Sequence, residues 1–188
     1  MPSYKKVIKK LLKRNITISI AESCTGGLLS SKFISEAGIS KIFNMGLITY
    51  SNKAKSNLLK ISQHQIKKYG AVSNQIAMLM VKNLHNLSKS KLCISTTGIA
   101  GPSGGTKIKP VGLIFFGILY KNKINVVQKG HYKELAYYLS NFKMETPTKK
   151  ERSEGFWYSR FDLWWEKNPA FSEDVVRGLI LDSNGEIV

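Results

Sequence analysis

The chain has 188 residues, 43% of them hydrophobic, and a formal net charge of +17. This length and composition indicate one substantial globular domain with an appendage, and they exclude a chain that is disordered throughout. No apolar run approaches the roughly 18 residues of a membrane span, so no membrane partner is expected.

The positive charge does not by itself indicate specific binding to nucleic acid. Lysines are scattered singly, without a basic stripe interleaved with aromatic side chains. Before Glu151 the only arginine is Arg14, although arginine is the residue that favours base-edge readout. We therefore expect weak nonspecific adhesion at low salt and no specific nucleic-acid partner.

The two cysteines, Cys24 and Cys93, show neither disulfide nor metal-ligand spacing. A reducing cytoplasm is the simplest expected location for such a chain. Carboxylates are few and there is no cluster of histidine and cysteine, so no metal site is expected.

The predicted elements alternate between helix and strand. In chain order they are an amphipathic helix at 3–14, read in preference to a signal peptide, a strand at 16–21, a helix at about 25–36, a strand at 43–50, short helices at 55–59 and 62–69, a long helix from 73 to about 87, and strands at 92–97, 111–120 and 123–129. The last two strands are predicted to form a hairpin across Lys121 and Asn122. This alternation predicts an α/β layered domain with an antiparallel edge.

Three polar segments follow predicted strands, at residues 22–27, 49–55 and 97–106. If those strands are parallel, the segments converge at one edge of the sheet, where ligands bind in open α/β folds. They would bring together the hydroxyls of Ser23, Thr25, Tyr50 and Thr97 with the lysine pair Lys53 and Lys55 and two glycine-rich turns. A serine with lysine or tyrosine is a known nucleophile–base combination, provided that the lysine is kept neutral.

Other interpretations of these segments remain open. Taken alone, the first turn is equally well explained as an ordinary β–α connection with a serine as helix N-cap. No histidine is well placed for a triad, because His64, His85 and His131 lie in helical or linker segments.

Five motifs resemble the CinA C-terminal domain family, the nicotinamide-nucleotide amidohydrolases. They are residues 21–27 (AESCTGG), 49–55 (TYSNKAK), 70–73 (GAVS), 97–105 (TGIAGPSGG) and 109–112 (KPVG), in family order within roughly residues 5–128. The resemblance implies a three-layer α/β/α sandwich around a mixed, mostly parallel sheet, and often a homodimer. It implies hydrolysis of nicotinamide mononucleotide to nicotinate mononucleotide and ammonia, with no cofactor and no metal.

The resemblance also implies residue roles. Ser23 is the nucleophile, Lys55 the base, and Tyr50 a hydroxyl partner in the site. The substrate-binding residues are Cys24, Thr25, Gly26, Gly27, Thr97, Gly98, Gly101, Gly104 and Gly105. The turn at residues 24–27 would supply N–H groups to the developing oxyanion or to the phosphate of the nucleotide.

The chain departs from the family pattern towards its C-terminus. Family members usually follow the last strands with an arginine-bearing turn and helix, whereas residues 130–139 contain no arginine. This favours an alternative function, a nucleotide-binding module that has lost turnover. A role on DNA has support only from the charge and the family's historical name.

Composition also changes near the C-terminus. Up to Lys150 there are 25 lysines and arginines against 4 acidic residues, and from Glu151 there are 4 against 8. All three tryptophans follow the change. Together with the resemblance, this change predicts a CinA C-terminal-like amidohydrolase domain at residues 1–143 and a divergent C-terminal extension, outside the core, at 144–188.

Overall fold

The computed structural model describes residues 3–101 and 103–129. The helices are α1 (Ser3–Lys13), α2 (Leu28–Ile34), α3 (Asn52–Leu59), α4 (Gln63–Tyr69) and α5 (Asn74–Ser88), and the strands are β1 (Ile18–Glu22), β2 (Phe43–Ile48), β3 (Leu92–Gly98), β4 (Ile114–Tyr120) and β5 (Lys123–Lys129). All of these except the start of α1 lie within the compact unit of residues 8–140.

The five strands form one mixed sheet in the order β2-β1-β3-β4-β5. β1 lies between β2 and β3 and is parallel to both, with Ala21 paired to Leu47 on one side and Ser95 on the other. β4 is antiparallel to β3 and to β5. The predicted parallel strands and the antiparallel edge are both confirmed, and the carboxyl ends of β1, β2 and β3 meet at one edge.

Helices cover both faces of the sheet. α5 packs across β1, β3, β4 and β5, where Ala21 and Cys93 join a buried cluster with Met80 and Leu84. Glu22, which follows Ala21 and points to the opposite face, contacts the start of α2. The fold is therefore the expected α/β sandwich with a helical layer on each side.

Close packing of α5 on the sheet depends on Gly117 in β4. A Cβ at this position would lie 2.5 Å from Ser95 Oγ and 2.6 Å from the carbonyl oxygen of Ala77. No side chain fits there without displacing the helix backbone. The absence of a side chain at Gly117 therefore sets the distance between α5 and the centre of the sheet.

Two predicted helix starts were wrong. α3 begins at Asn52 rather than at residue 55, because the Ser51 hydroxyl accepts a hydrogen bond from Ala54 N and caps the first turn. α2 begins at Leu28, not near residue 25, because Gly26 and Gly27 adopt positive φ angles of 60° and 103°. The polar segment at residues 49–55 therefore enters its helix earlier than expected, and the segment at residues 22–27 enters its helix later.

Three predicted strands have other bounds in the structure: those predicted at 16–21, 43–50 and 111–120 lie at 18–22, 43–48 and 114–120. The predicted helix starts at residues 62 and 73 and the predicted hairpin turn agree with the structure. Ser62 caps α4 in a capping box with Gln65, and Ser73 caps α5. The hairpin turn at Lys121 and Asn122 has positive φ at both residues, as a tight two-residue turn requires. Among the described residues, no helix has the length and apolarity needed to cross a membrane. The predicted domain boundary at residue 143 lies outside the described residues.

Candidate active site

A pocket of about 270 Å³ opens where β1, β2 and β3 end. Its lining comes from four separate stretches of the chain: Ser23 and Cys24; Tyr50, Asn52 and Lys55; Ala71 and Val72; and Thr97, Gly98, Ile99, Ala100, Gly101, Ser103 and Gly104. The parallel strands therefore bring together the three polar segments that the sequence placed at one sheet edge. A fourth stretch, between α4 and α5, completes the lining.

Ser23 is held at the pocket by the end of the central strand. Its amide donates to the carbonyl oxygen of Thr96 at 3.0 Å, so the pairing of β1 with β3 extends through the residue. The Ser23 side chain is 6% exposed. A backbone fixed in this way leaves the hydroxyl oxygen in a defined position at the pocket surface.

Lys55 reaches Ser23 from α3. Its Nζ donates to Ser23 Oγ at 2.9 Å and also to the carbonyl oxygens of Thr49 at 2.9 Å and Tyr50 at 3.2 Å. The side chain is 1% exposed, which is unusual for lysine. This burial lowers the pKa of the Lys55 ammonium below its ordinary value, against a smaller opposing effect from Cys24.

Tyr50 contacts Lys55 in a different way from the one expected. The contact runs through the backbone carbonyl oxygen rather than the phenol, and the side chain is 72% exposed at the pocket rim. In this structure Tyr50 therefore contacts Lys55 through its backbone and not through the expected hydroxyl. A partner role for that hydroxyl towards a bound substrate stays a prediction.

Cys24 also lines the pocket, next to Ser23. Burial raises the pKa of its thiol to about 12, despite its own backbone amide and the charge of Lys55, which act in the opposite direction. The thiolate is the nucleophilic form of cysteine, and it is scarce at neutral pH when the pKa is so high. Chemistry at this corner of the pocket therefore favours the serine.

Glu22 is the site residue that sequence analysis missed. Its carboxylate is fully buried and accepts four hydrogen bonds, from the amides of Gly27, Leu29 and Ser30 and from the Ser30 hydroxyl, at 2.6–3.1 Å. It therefore caps the N-terminus of α2 from the end of β1. An acidic residue inside an otherwise apolar strand was the available signal.

This cap corrects the expected use of the turn at residues 24–27. The amide of Gly27 donates to Glu22, and that of Gly26 donates to the carbonyl oxygen of Ser23 at 3.1 Å. Both amides are therefore already used within the protein. The amide of Cys24, a pocket-lining residue, donates to no carbonyl oxygen among the described residues, so it could donate to a ligand.

Three of the predicted binding residues in this turn do not line the pocket. Thr25, Gly26 and Gly27 lie behind it, and the Thr25 hydroxyl shares a 2.8 Å hydrogen bond with the hydroxyl of Thr96. The reason is the tight path of the turn, in which the two glycines carry the chain directly into α2. Their structural role is to set that path.

The glycine-rich loop after β3 contributes most of its predicted residues to the pocket. Thr97, Gly98, Gly101 and Gly104 all line it, whereas Gly105 does not. A Cβ at Gly105 would come within 2.7 Å of the backbone nitrogen of residue 111, so this glycine is needed for packing within the loop. The Thr97 hydroxyl donates to the carbonyl oxygen of residue 71 at 2.8 Å.

The sequence profile of the CinA C-terminal domain matches residues 2–136. The chain belongs to the CinA C-terminal domain family. Its relatives include a protein of Thermoanaerobacter pseudethanolicus that is 47% identical over 120 residues and one of Clostridium novyi that is 51% identical over 116 residues. Both carry the name competence-damage inducible protein.

The matched region is 64% and 62% of this chain but only 29% and 28% of those two relatives. The matches to solved CinA-type structures cover a larger share of both chains. The competence/damage inducible protein CihA of Agrobacterium tumefaciens has a TM-score of 0.65 at 32% identity, over 72% of this chain and 86% of its own. A CinA superfamily protein of Escherichia coli has a TM-score of 0.65 at 26% identity, over 71% and 79%.

Within the described part of this CinA-family chain, no three acidic, histidine or cysteine side chains are grouped so that they could hold a metal ion. The polar groups of the pocket lining are instead hydroxyls, one buried amine, the Cys24 thiol, the Asn52 side-chain amide and backbone amides. Such a set suits attack on a carbonyl carbon by a hydroxyl oxygen, with the amine as proton acceptor.

Proposed function

We propose that the chain hydrolyses the carboxamide of nicotinamide mononucleotide, giving nicotinate mononucleotide and ammonia. The observation that carries this proposal is the 2.9 Å hydrogen bond between Lys55 Nζ and Ser23 Oγ at the pocket surface. A buried lysine bonded to a serine hydroxyl is the pairing expected of a nucleophile and its base. The choice of substrate comes from the family resemblance.

The hydrogen bonds around Lys55 support a neutral amine. Two of its three acceptors, the carbonyl oxygens of Thr49 and Tyr50, can only accept, so two N–H groups of lysine satisfy them. The third partner is a hydroxyl, which can donate as well as accept. A neutral Lys55 therefore fits with its lone pair on the Ser23 proton, and burial favours this form.

The proposed reaction has two stages. In the first, Ser23 Oγ attacks the carbonyl carbon of the amide while its proton passes to Lys55 Nζ. The lysine then protonates the departing nitrogen, which leaves as ammonia, and an ester to Ser23 remains. In the second stage water, deprotonated by Lys55, cleaves that ester, and the carboxylate product and the free hydroxyl are formed.

The developing negative charge on the carbonyl oxygen needs hydrogen-bond donors. The amide of Cys24 directly follows the proposed nucleophile, and no carbonyl oxygen among the described residues accepts from it. An amide immediately after the nucleophile is a common component of oxyanion holes. We assign the Cys24 amide to that role in the proposed mechanism.

A second function is favoured by one sequence observation. Residues 130–139 lack the arginine that family members carry after the last strands. The chain would then bind the nucleotide without turning it over. The proposal also includes a cytoplasmic location and a homodimeric state. Light scattering of the purified protein measures the oligomeric state.

The test is release of ammonia from a panel of pyridine nucleotides and from free nicotinamide. Amide hydrolysis predicts ammonia from nicotinamide mononucleotide, together with stoichiometric nicotinate mononucleotide. Binding of that nucleotide by calorimetry without any ammonia would establish the binding module instead. Absence of both binding and turnover across the panel would rule out both functions.

A further inference from the structure

We propose that Lys109 is a positioning residue that holds together two walls of the substrate pocket. The inference rests on the proposed function, because it concerns how that pocket binds its substrate. It also gives a role to two family-like motifs, at residues 70–73 and 109–112, that the reaction itself does not use.

The first wall lies between α4 and α5, where Ala71 and Val72 line the pocket. Its backbone is held by side chains from elsewhere in the chain. The Thr97 hydroxyl donates to the carbonyl oxygen of Ala71 at 2.8 Å, and Lys109 Nζ donates to that of Val72 at 2.7 Å. Thr97 makes its hydrogen bond from strand β3, whereas Lys109 makes its hydrogen bond from a loop.

The second wall is that loop, which follows β3 and carries several pocket residues between Ile99 and Gly104. Two backbone hydrogen bonds close its base, from Ile99 N to the carbonyl oxygen of Leu113 at 2.9 Å and from Gly112 N to that of Ile99 at 2.7 Å. Lys109 lies on the returning arm of the loop. Its bond to residue 72 therefore joins the loop to the first wall.

The surroundings of Lys109 match its side chain closely. A Cβ on Gly70 would lie 3.0 Å from Lys109 Nζ, and Gly70 has a φ of 77°. The Lys109 backbone is fixed as well, because its amide donates to the Thr106 hydroxyl at 2.9 Å and its carbonyl oxygen accepts from Thr106 N at 2.8 Å. Both ends of the lysine are thus held in place.

Loss of the bond would free the two walls from each other while the contact between Ser23 and Lys55 stays intact. Substrate binding would weaken in the ground state and in the transition state alike. That pattern raises KM and leaves kcat unchanged. A residue needed only for folding would instead lower the amount of active protein, with KM unaffected.

The chain offers a matched control in Lys107. This lysine is exposed, carries the same charge and lies two residues away in the same loop. Lys109→Met and Lys107→Met each remove one positive charge, but only the first removes the contact with Val72. A comparison of the two separates the contact from general attraction of an anionic substrate.

In the ammonia assay we expect Lys109→Met to raise KM roughly ten-fold, as loss of one charge-assisted hydrogen bond would, with kcat within about two-fold of wild type. Lys107→Met is expected to keep the wild-type KM. An equal rise in KM for both variants, or a loss of kcat at unchanged KM in Lys109→Met, would overturn the proposal.

A second measurement does not depend on turnover. Amide hydrogen exchange of the ligand-free protein is compared for the two variants and wild type, in peptides covering residues 70–73 and 99–112. Faster exchange in both segments is expected in Lys109→Met alone. Unchanged exchange in that variant would refute the link, even if wild type releases no ammonia from any nucleotide.

Discussion

At the scale of a single residue, the proposed mechanism depends most on Lys55. Its Nζ has three oxygen partners, and its side chain is 1% exposed. Burial disfavours the charged ammonium form, and it outweighs the opposing effect of Cys24, so the pKa of Lys55 lies below its ordinary value. The same residue should therefore affect both the rate and the stability.

We predict that the rate of amide hydrolysis rises with pH along one ionisation, which lies below the ordinary lysine pKa and is absent in Lys55→Met. The reason is that only the neutral amine can take the proton of Ser23. The measurement is kcat/KM for ammonia release against pH. A wild-type profile that is flat, or that Lys55→Met retains, would contradict the assignment of Lys55 as base.

The stability of the protein gives an independent check on the same ionisation. Since the pKa of Lys55 is lower in the folded than in the unfolded chain, the unfolded state binds more protons between the two values. The unfolding free energy contributed by this group therefore increases as pH rises through that window. Urea titrations at several pH values should show a shallower increase in Lys55→Met than in wild type.

The second prediction at this scale separates two neighbouring nucleophiles. We expect Ser23→Ala to lower kcat by several orders of magnitude, as loss of a nucleophile does, with the fold unchanged by circular dichroism. Cys24→Ala should retain most of the activity, because a thiol with a pKa of about 12 contributes little thiolate at neutral pH. The reverse pattern of activities would assign the nucleophile to Cys24.

At the scale of elements, the connection from β1 to α2 depends on the buried carboxylate of Glu22. It accepts from three backbone amides at the start of α2 and from the Ser30 hydroxyl. These amides would otherwise be left without partners at a helix N-terminus. The cap thus fixes the turn that contains Ser23 and Cys24.

We predict that Glu22→Gln lowers the unfolding free energy by about 1.5–3 kcal/mol, because the amide nitrogen of glutamine faces donors where a carboxylate oxygen accepted. Ser30→Ala is the control, since it removes only the hydroxyl and keeps the backbone bond to the carboxylate. Urea unfolding measures both variants. A loss in Glu22→Gln no larger than that in Ser30→Ala would show that the backbone amides do not need the carboxylate.

The order of helices and strands was accessible from the sequence, because their apolar spacing and caps are local. Ser62 and Ser73 marked the helix starts that the structure contains. The start of α2 was not accessible in the same way, since its cap comes from the side chain of Glu22 at the end of β1. A cap supplied from a neighbouring element leaves no signal at the helix itself.

The candidate site was predictable where it depended on topology. Parallel strands bring their ends together, so Ser23, Lys55 and Thr97 were expected near one another and lie around one pocket. Their detailed contacts were not predictable. The hydrogen bonds that Lys55 donates to the Tyr50 carbonyl oxygen and that Lys109 donates to the Val72 carbonyl oxygen depend on backbone paths, which the pattern of side chains in the sequence does not reveal.

For the whole molecule, the change of composition near residue 150 divides a basic body from an acidic, aromatic C-terminal segment. The family profile ends at residue 136, before this change. The boundary predicted at residue 143 therefore remains a hypothesis about which part of the chain is needed for folding and binding.

We predict that a chain ending at Met144 is soluble and still binds a pyridine nucleotide, because all five family motifs precede this position. Thermal melting and calorimetric titration of the truncated and full-length chains test it. If the truncated chain is insoluble or melts far lower, the C-terminal segment completes the domain, with Arg152 or Arg160 as candidates for the family's arginine.

Ser23 and the glycine-rich loop lie on parts of the pocket that differ in how well they tolerate substitution. The proposed nucleophile follows a strand paired on both sides, so a bulkier residue there would disturb the centre of the sheet. Apart from Gly105 and Lys109, the loop between β3 and β4 is fastened by a few backbone hydrogen bonds, and a change in its length costs little free energy. Divergence towards new substrates in such a protein would proceed through the loop, and the loop is also the segment to randomise in a directed-evolution library.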